Sequence, residues 1–224
     1  MRYKNIHFIQ KALSYLFPIT LDKKKSKWSE NVSLKLNNGA LELSTENAVY
    51  SYGKNYYAFA EAYKKLNISQ YPIKKVLILG LGMGSIIEIL EGHFKSLEFH
   101  GVETDSVIID LFKKHIEIEN DFSLKIYEND AYEYVKDCEN KFDLINIDIF
   151  IDDVIPHPFH DHEFLENIKS KLTHNGIVLF NRLDSKAAYR QYNKTYWNEV
   201  FNSIFPNSKN LKIRGNVVLA GFNC

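Results

Sequence analysis

The chain has 224 residues, 28 Lys and Arg against 28 Asp and Glu, and 45% hydrophobic and 14% aromatic side chains. That composition excludes a disordered or fibrous chain and suits one large domain, or one domain with a small appendage. Two cysteines, Cys138 and Cys224, argue against a disulfide framework and for a reducing, cytoplasmic setting; no apolar run approaches the roughly 20 residues of a membrane span.

Neutrality hides uneven blocks. Residues 1–35 carry 8 basic and 2 acidic side chains, residues 117–166 carry 3 Lys and 15 Asp or Glu, and residues 167–224 carry 9 basic and 2 acidic. A duplex-binding protein needs a basic stripe at its site, whereas the middle of this chain repels phosphate, so nucleic acid is not an expected partner. Lys23, Lys24, Lys25 and Lys27 read as a solvated loop. Lys4, His7, Gln10 and Lys11 interrupt the apolar residues before Pro18, so no signal peptide is expected there.

The first predicted feature is a hairpin, with strands at 32–36 and 40–43 around Asn37-Asn38-Gly39. It belongs to a small N-terminal unit, residues 1–70, with a helix and a β-element. Residues 71–224 then alternate strand and helix. Residues 75–80 form a short apolar run ending at Gly80, the pattern of a strand buried on both faces of a parallel sheet. A helix follows at 84–93, a strand at 97–103, a helix at 106–117, a strand at 124–127, and a short helix at 131–138. Further strands are predicted at 142–149 and 177–181, with a helix at 161–172 between them. An amphipathic helix at 192–205 sets Tyr196, Trp197, Val200, Phe201 and Ile204 on one side. The tail reads as an antiparallel hairpin, 211–214 and 217–222. The fold class is therefore α/β: a Rossmann-like, doubly wound sheet with right-handed crossovers, whose ligands bind beyond the carboxyl ends of the strands.

Gly80-Leu81-Gly82-Met83-Gly84-Ser85 follows the first parallel strand and opens a helix. Its G-x-G-x-G spacing departs from the dinucleotide G-x-G-x-x-G and suits a ligand without a pyrophosphate. Glu103 ends the second strand, where a carboxylate can accept two hydrogen bonds from a ribose diol. Asn129-Asp130-Ala131 follows the third strand, where an adenine edge would lie, although Asp130 can equally cap the next helix. Asp148 ends the fourth strand, beside the expected reactive centre. Three histidines in Pro156-His157-Pro158-Phe159-His160-Asp161-His162 lie near acids, but the prolines oppose helical ligand geometry, so no metal is expected and the stretch reads as a loop over the pocket. Tyr50, Tyr52, Tyr56 and Tyr57 form an aromatic cluster that divides between core packing and rings for a cationic acceptor.

Residues 76–84, Gly101-Val-Glu-Thr-Asp105, residues 129–131 and Phe142-Asp-Leu-Ile-Asn-Ile-Asp148 together resemble the spermidine synthase (polyamine aminopropyltransferase) family. That family shares the fold of the class I S-adenosylmethionine-dependent methyltransferases. The likeness runs over about residues 40–222. It implies seven strands with an antiparallel edge hairpin, and a donor held by Gly80, Gly82, Met83, Gly84, Glu103, Asp130 and Ala131. It implies Asp148 beside the sulfonium as the catalytic residue, Tyr50, Tyr57, Glu61 and Asp152 towards the acceptor, and, by family analogy, a homodimer. Three departures stand out. Met83 replaces an aspartate that holds the aminopropyl ammonium; Ile151 occupies the place of a second aspartate, with Asp152 and Asp153 just beyond; Tyr50 and Phe59 replace a glutamine and a tyrosine. The expectation is a transferase using S-adenosylmethionine or a close relative to move a methyl or other alkyl group to a small acceptor, an amine foremost. The alternatives are aminopropyl transfer from decarboxylated S-adenosylmethionine, with methylthioadenosine as product, and a nucleoside-binding module without turnover.

Overall fold

The computed structural model describes residues 1–46, 48–119 and 121–223. The N-terminal part contains β1 (Arg2–Tyr3), α1 (Phe8–Leu13), β2 (Ile19–Lys24), β3 (Val32–Asn37), β4 (Ala40–Ser44), β5 (Val49–Ser51) and α2 (Tyr57–Leu66). The alternating part runs β6 (Lys75–Leu79), α3 (Ser85–Leu90), β7 (Glu98–Glu103), α4 (Ser106–His115), β8 (Ile116–Glu117), β9 (Ser123–Glu128), α5 (Ala131–Asp137), β10 (Phe142–Ile147), α6 (His162–Ser170) and β11 (Leu172–Leu183). It closes with α7 (Ala187–Tyr196), a π-turn at Trp197–Phe201, α8 (Asn202–Ile204), β12 (Lys209–Ile213) and β13 (Asn216–Phe222).

Seven strands pair in the order β12-β13-β11-β10-β6-β7-β9. The five from β6 to β11 in this sheet are parallel, and β13 and β12 add an antiparallel edge. Burial explains the apolar runs. Val76 and Ile78 pack into one core with α2, α3 and α4, while Leu77 and Leu79 pack into a second with α5 and α6. Because alternate residues point to opposite faces, a strand covered on both sides must be apolar throughout. The chain leaves β6 towards β7 and β9, then returns to β10 and β11 on the other side. The switch in strand order thus falls between β6 and β10, where ligands of such sheets sit.

Several elements differ from the sequence reading. The N-terminal hairpin is part of a four-stranded antiparallel sheet, β2-β3-β4-β5. Strand β2 ends in Asp22-Lys23-Lys24, charges that mask an edge strand. The end of the predicted helix at 106–117 is extended instead: Ile116 and Glu117 pair with Tyr3 and Arg2. Strand β11 starts early, its Leu172 pairing with Phe142, and bulges before Ile177 around Asn175, whose φ is +63°. The C-terminal helix starts earlier and passes through the π-turn. Among the described residues no helix is long and apolar enough to cross a membrane.

Candidate active site at the strand tips

A cavity of about 480 Å³ opens beyond the parallel strand tips, roofed by the β5–α2 segment. Gly80 and Asp148 meet at its floor, because the Asp148 amide donates to the Leu79 carbonyl across the switch point at 2.8 Å. From β7, Glu103 turns back under the glycine loop. One carboxylate oxygen accepts from the Gly82 amide at 3.1 Å, and the other from the Thr104 and Asp105 amides at 3.0 and 3.1 Å. Burial pushes the Glu103 carboxyl above its usual range, and these amides oppose the shift. Oε2 keeps one lone pair, so the anchored carboxylate can still accept one further hydrogen bond from a hydroxyl.

Asp130 has both roles left open by the sequence: it lines the cavity, and its Oδ1 caps α5 by accepting from the Tyr132 amide at 2.8 Å and the Glu133 amide at 3.3 Å. Ala131 lies beside it. Asp148 is half-buried. Its Oδ1 accepts from Asn181 Nδ2 at 2.9 Å and from the Tyr56 hydroxyl at 3.1 Å. Asn216 Nδ2 in turn donates to Asn181 Oδ1 at 2.9 Å, fixing the amide's orientation. Its Oδ2 has no protein partner among the described residues. Desolvation pushes Asp148 up to about 6, against the pull of both donors.

A loop closes the far wall. Asp152 sits at φ +53°, its amide donates to the Tyr50 hydroxyl at 2.7 Å, and its Oδ1 accepts from the Thr45 hydroxyl at 2.9 Å. The N-terminal sheet thereby grips the segment after β10. Tyr57 also lines the cavity, its hydroxyl donating to the Arg214 carbonyl. Ser85, at the place of the missing third dinucleotide glycine, is buried and bonds the Ser51 hydroxyl at 2.6 Å, tying the roof to the loop.

Three residues expected at the site are not in its walls. Met83 is 1% exposed and packs in the core with α3 and α4, so its thioether faces away from the cavity. Gly84 has φ +74°, and a Cβ there would lie 2.8 Å from the Phe112 ring, so it serves close packing on α4. Glu61 is half-buried on α2, outside the cavity wall. The structure adds Tyr56 and Asn181 as the partners of Asp148. Asn181 lay in view as the last residue of the predicted fifth strand, whereas nothing local singled out Tyr56 within its cluster.

Acids at the tips of β7, β9 and β10 surround the glycine loop after β6 in a Rossmann-like α/β sheet. The spermine/spermidine synthase domain model matches residues 59–211, and the chain belongs to that family. A polyamine aminopropyltransferase from Vibrio vulnificus is 27% identical over 143 residues, 62% of this chain and 46% of that protein. An eEF1A lysine and N-terminal methyltransferase homolog from Drosophila melanogaster is 24% identical over 117 residues, 48% of this chain and 17% of that protein. The chain thus spans less than half the length of these curated relatives. Among solved structures, spermidine synthase from Thermotoga maritima has a TM-score of 0.68 at 18% identity, covering 92% of this chain and 73% of that one. Human methyltransferase-like protein 13 in complex with SAH has a TM-score of 0.55 at 18% identity, covering 73% and 78%. These likenesses establish the fold.

Replacing Glu103 by Gln is expected to weaken nucleoside binding by about tenfold to a hundredfold, the worth of one charged hydrogen bond. A Gln amide also sets an N–H against the amide of Gly82 or of Thr104 and Asp105. Calorimetry with methylthioadenosine measures the loss; unchanged affinity would remove Glu103 from the site.

Proposed function

We propose that the chain transfers an aminopropyl group from decarboxylated S-adenosylmethionine to a small amine. The observation that carries this reading is the charge of the cavity wall. Glu103, Asp130, Asp148, Asp152 and Asp153 line it, and no Lys, Arg or His does among the described residues. S-adenosylmethionine brings a carboxylate beside its sulfonium, whereas the decarboxylated form brings only cations. The amides of Gly80 and Leu81 donate to the Val102 carbonyl, that of Gly82 to Glu103, and that of Gly84 to the Leu81 carbonyl, so these four offer a carboxylate nothing. Burying it against acids without a partner is costly.

The chemistry follows from the geometry at Asp148. An amine acceptor has a pKa near 10.4 and arrives protonated. Asp148 Oδ2 faces it while Oδ1 stays fixed by Tyr56 and Asn181, so the carboxylate orients the ammonium and receives its proton. The free nitrogen then forms the new N–C bond as the C–S bond breaks in line, and neutral methylthioadenosine leaves with the electron pair on sulfur. The cationic sulfur favours ionised Asp148 in the loaded site. Asp152 keeps its Oδ2 for the remaining ammonium groups.

Methyl transfer is the second reading, favoured by Met83 where the family holds the aminopropyl ammonium. Incubation of 1,4-diaminobutane with either donor, read by mass spectrometry, separates them. Decarboxylated donor is expected to lead in kcat/KM by roughly tenfold or more; methylated product from S-adenosylmethionine, with the other donor inert, would install the second reading.

A further inference from the structure

A smaller cavity, about 130 Å³, adjoins the first and shares Phe150, Asp153 and Leu183 with it. Arg182, next to Asn181 on β11 and pointing to the opposite face, lines this side cavity. It is 2% exposed. No carboxylate lies within ion-pair distance of its guanidinium among the described residues. Its Nε donates to Asn193 Oδ1 at 2.8 Å, and both Nη atoms lie 3.2 Å from the single lone pair of His160 Nδ1.

Arginine carries five N–H donors. Nε–H points at Asn193 and one N–H of each Nη at His160, which leaves two without an acceptor among the described residues. His160 cannot supply negative charge: its Nε2 donates to the Ile155 carbonyl, and burial beside Arg182 holds it neutral, down to about 4. The Tyr196 ring, centred 4.0 Å from the guanidinium carbon, offsets part of the charge but accepts none of these bonds in the guanidinium plane. Asp153, the acid in the side-cavity wall, is engaged elsewhere, by the Tyr189 hydroxyl at 3.0 Å and Lys186 at 3.3 Å. A buried cation with spare donors, lining a small open cleft beside the larger cavity, can receive an anion.

We propose that the side cavity is a carboxylate subsite, and that the acceptor is a carboxylate-bearing amine whose carboxylate docks on Arg182 while its nitrogen sits at Asp148. The volume suits a carboxylate, which matches the planar fork of the guanidinium in a bidentate pair. Leu183 and Phe150, common to both cavities, form the edge over which such an acceptor reaches around the tip of β11. The acceptor class rests on the amine-transfer reading above; the anion site itself does not.

The test compares 1,4-diaminobutane with 2,5-diaminopentanoic acid, the same diamine plus a carboxylate. Each is titrated by calorimetry into protein saturated with methylthioadenosine, for wild type, Arg182→Met and Arg182→Lys. Wild type is expected to bind the acid roughly tenfold tighter or better, Arg182→Met to lose that discrimination, and Arg182→Lys to restore part of it. An unchanged affinity for methylthioadenosine confirms that each variant is folded, and Arg182→Lys keeps the comparison open if the Met variant is not. Equal binding of the two amines by wild type, or discrimination that survives Arg182→Met, overturns the proposal. Acetate that binds at Arg182 with no preference between the amines marks a free-anion site and overturns the acceptor assignment. No turnover is needed, so failure of aminopropyl transfer leaves this result standing, and an active enzyme that ignores the carboxylate refutes this inference alone.

Discussion

Asp148→Asn is expected to lower kcat by about a hundredfold to ten-thousandfold while making the protein more stable. Both effects have one cause. Asp148 is held in a desolvated corner that raises its carboxyl from 3.8 to about 6. A raised carboxyl pKa means that the fold binds the proton better than the unfolded chain does, so this group's ionisation costs stability as pH climbs from about 4 to about 6 and no more above that. Asparagine keeps an oxygen for the bonds from Tyr56 and Asn181 but carries no charge. Its advantage is expected to appear above pH 4, to level off above pH 6–7, and to reach about 1–3 kcal/mol, or about 3–8 °C in melting temperature. The same shift sets the rate profile. The acid limb of kcat/KM for the wild type is expected near 6, and that of kcat lower, because bound sulfonium stabilises the carboxylate. Thermal melts across pH, with rates on 1,4-diaminobutane, check both arms. A variant less stable than wild type at pH 8, or one that retains full turnover, contradicts this assignment.

Gly80→Ala is expected to cost about 3–5 kcal/mol and to abolish nucleoside binding, combining left-handed backbone with overpacking. Gly80 has φ +90°, and a Cβ there would overlap the Asp148 carbonyl oxygen. Neither side can retreat easily. The Gly80 amide donates to the Val102 carbonyl at 3.0 Å, and the Asp148 amide to Leu79 at 2.8 Å, so the tips of β6, β7 and β10 are locked together. Making room for a methyl group must part β6 from β10 at the switch point. A melting temperature within about 2 °C of wild type, with methylthioadenosine still bound, would show that the floor is looser than this geometry states.

The parallel sheet was legible because burial on both faces favours largely apolar runs, and residues 76–79 and, with Asp143 and Asn146 as exceptions, 142–147 supply them. The acids at the tips were legible for the complementary reason: a carboxylate directly after such a run has left the core. Of the N-terminal sheet only the β3–β4 hairpin was legible, since β2 mixes Lys and Asp into its edge, and the β1–β8 pair joins two-residue strands from distant parts of the chain. The motif match over-reached at Met83. Position in a glycine loop fixes the backbone but not the side chain, and a thioether gains more in the core than beside a polar ligand. Tyr56 and Asn181 converge on Asp148 from segments 125 residues apart, a meeting that only the tertiary fold brings about. Arg182 escaped notice because an arginine at a strand end normally reads as surface.

The most direct test of the cradle is calorimetric titration of decarboxylated S-adenosylmethionine into the wild-type protein and Glu103→Gln. Saturable one-to-one binding by wild type, weakened about tenfold or more by the substitution, is the predicted result. No heat from either protein at millimolar ligand would contradict the account at its root.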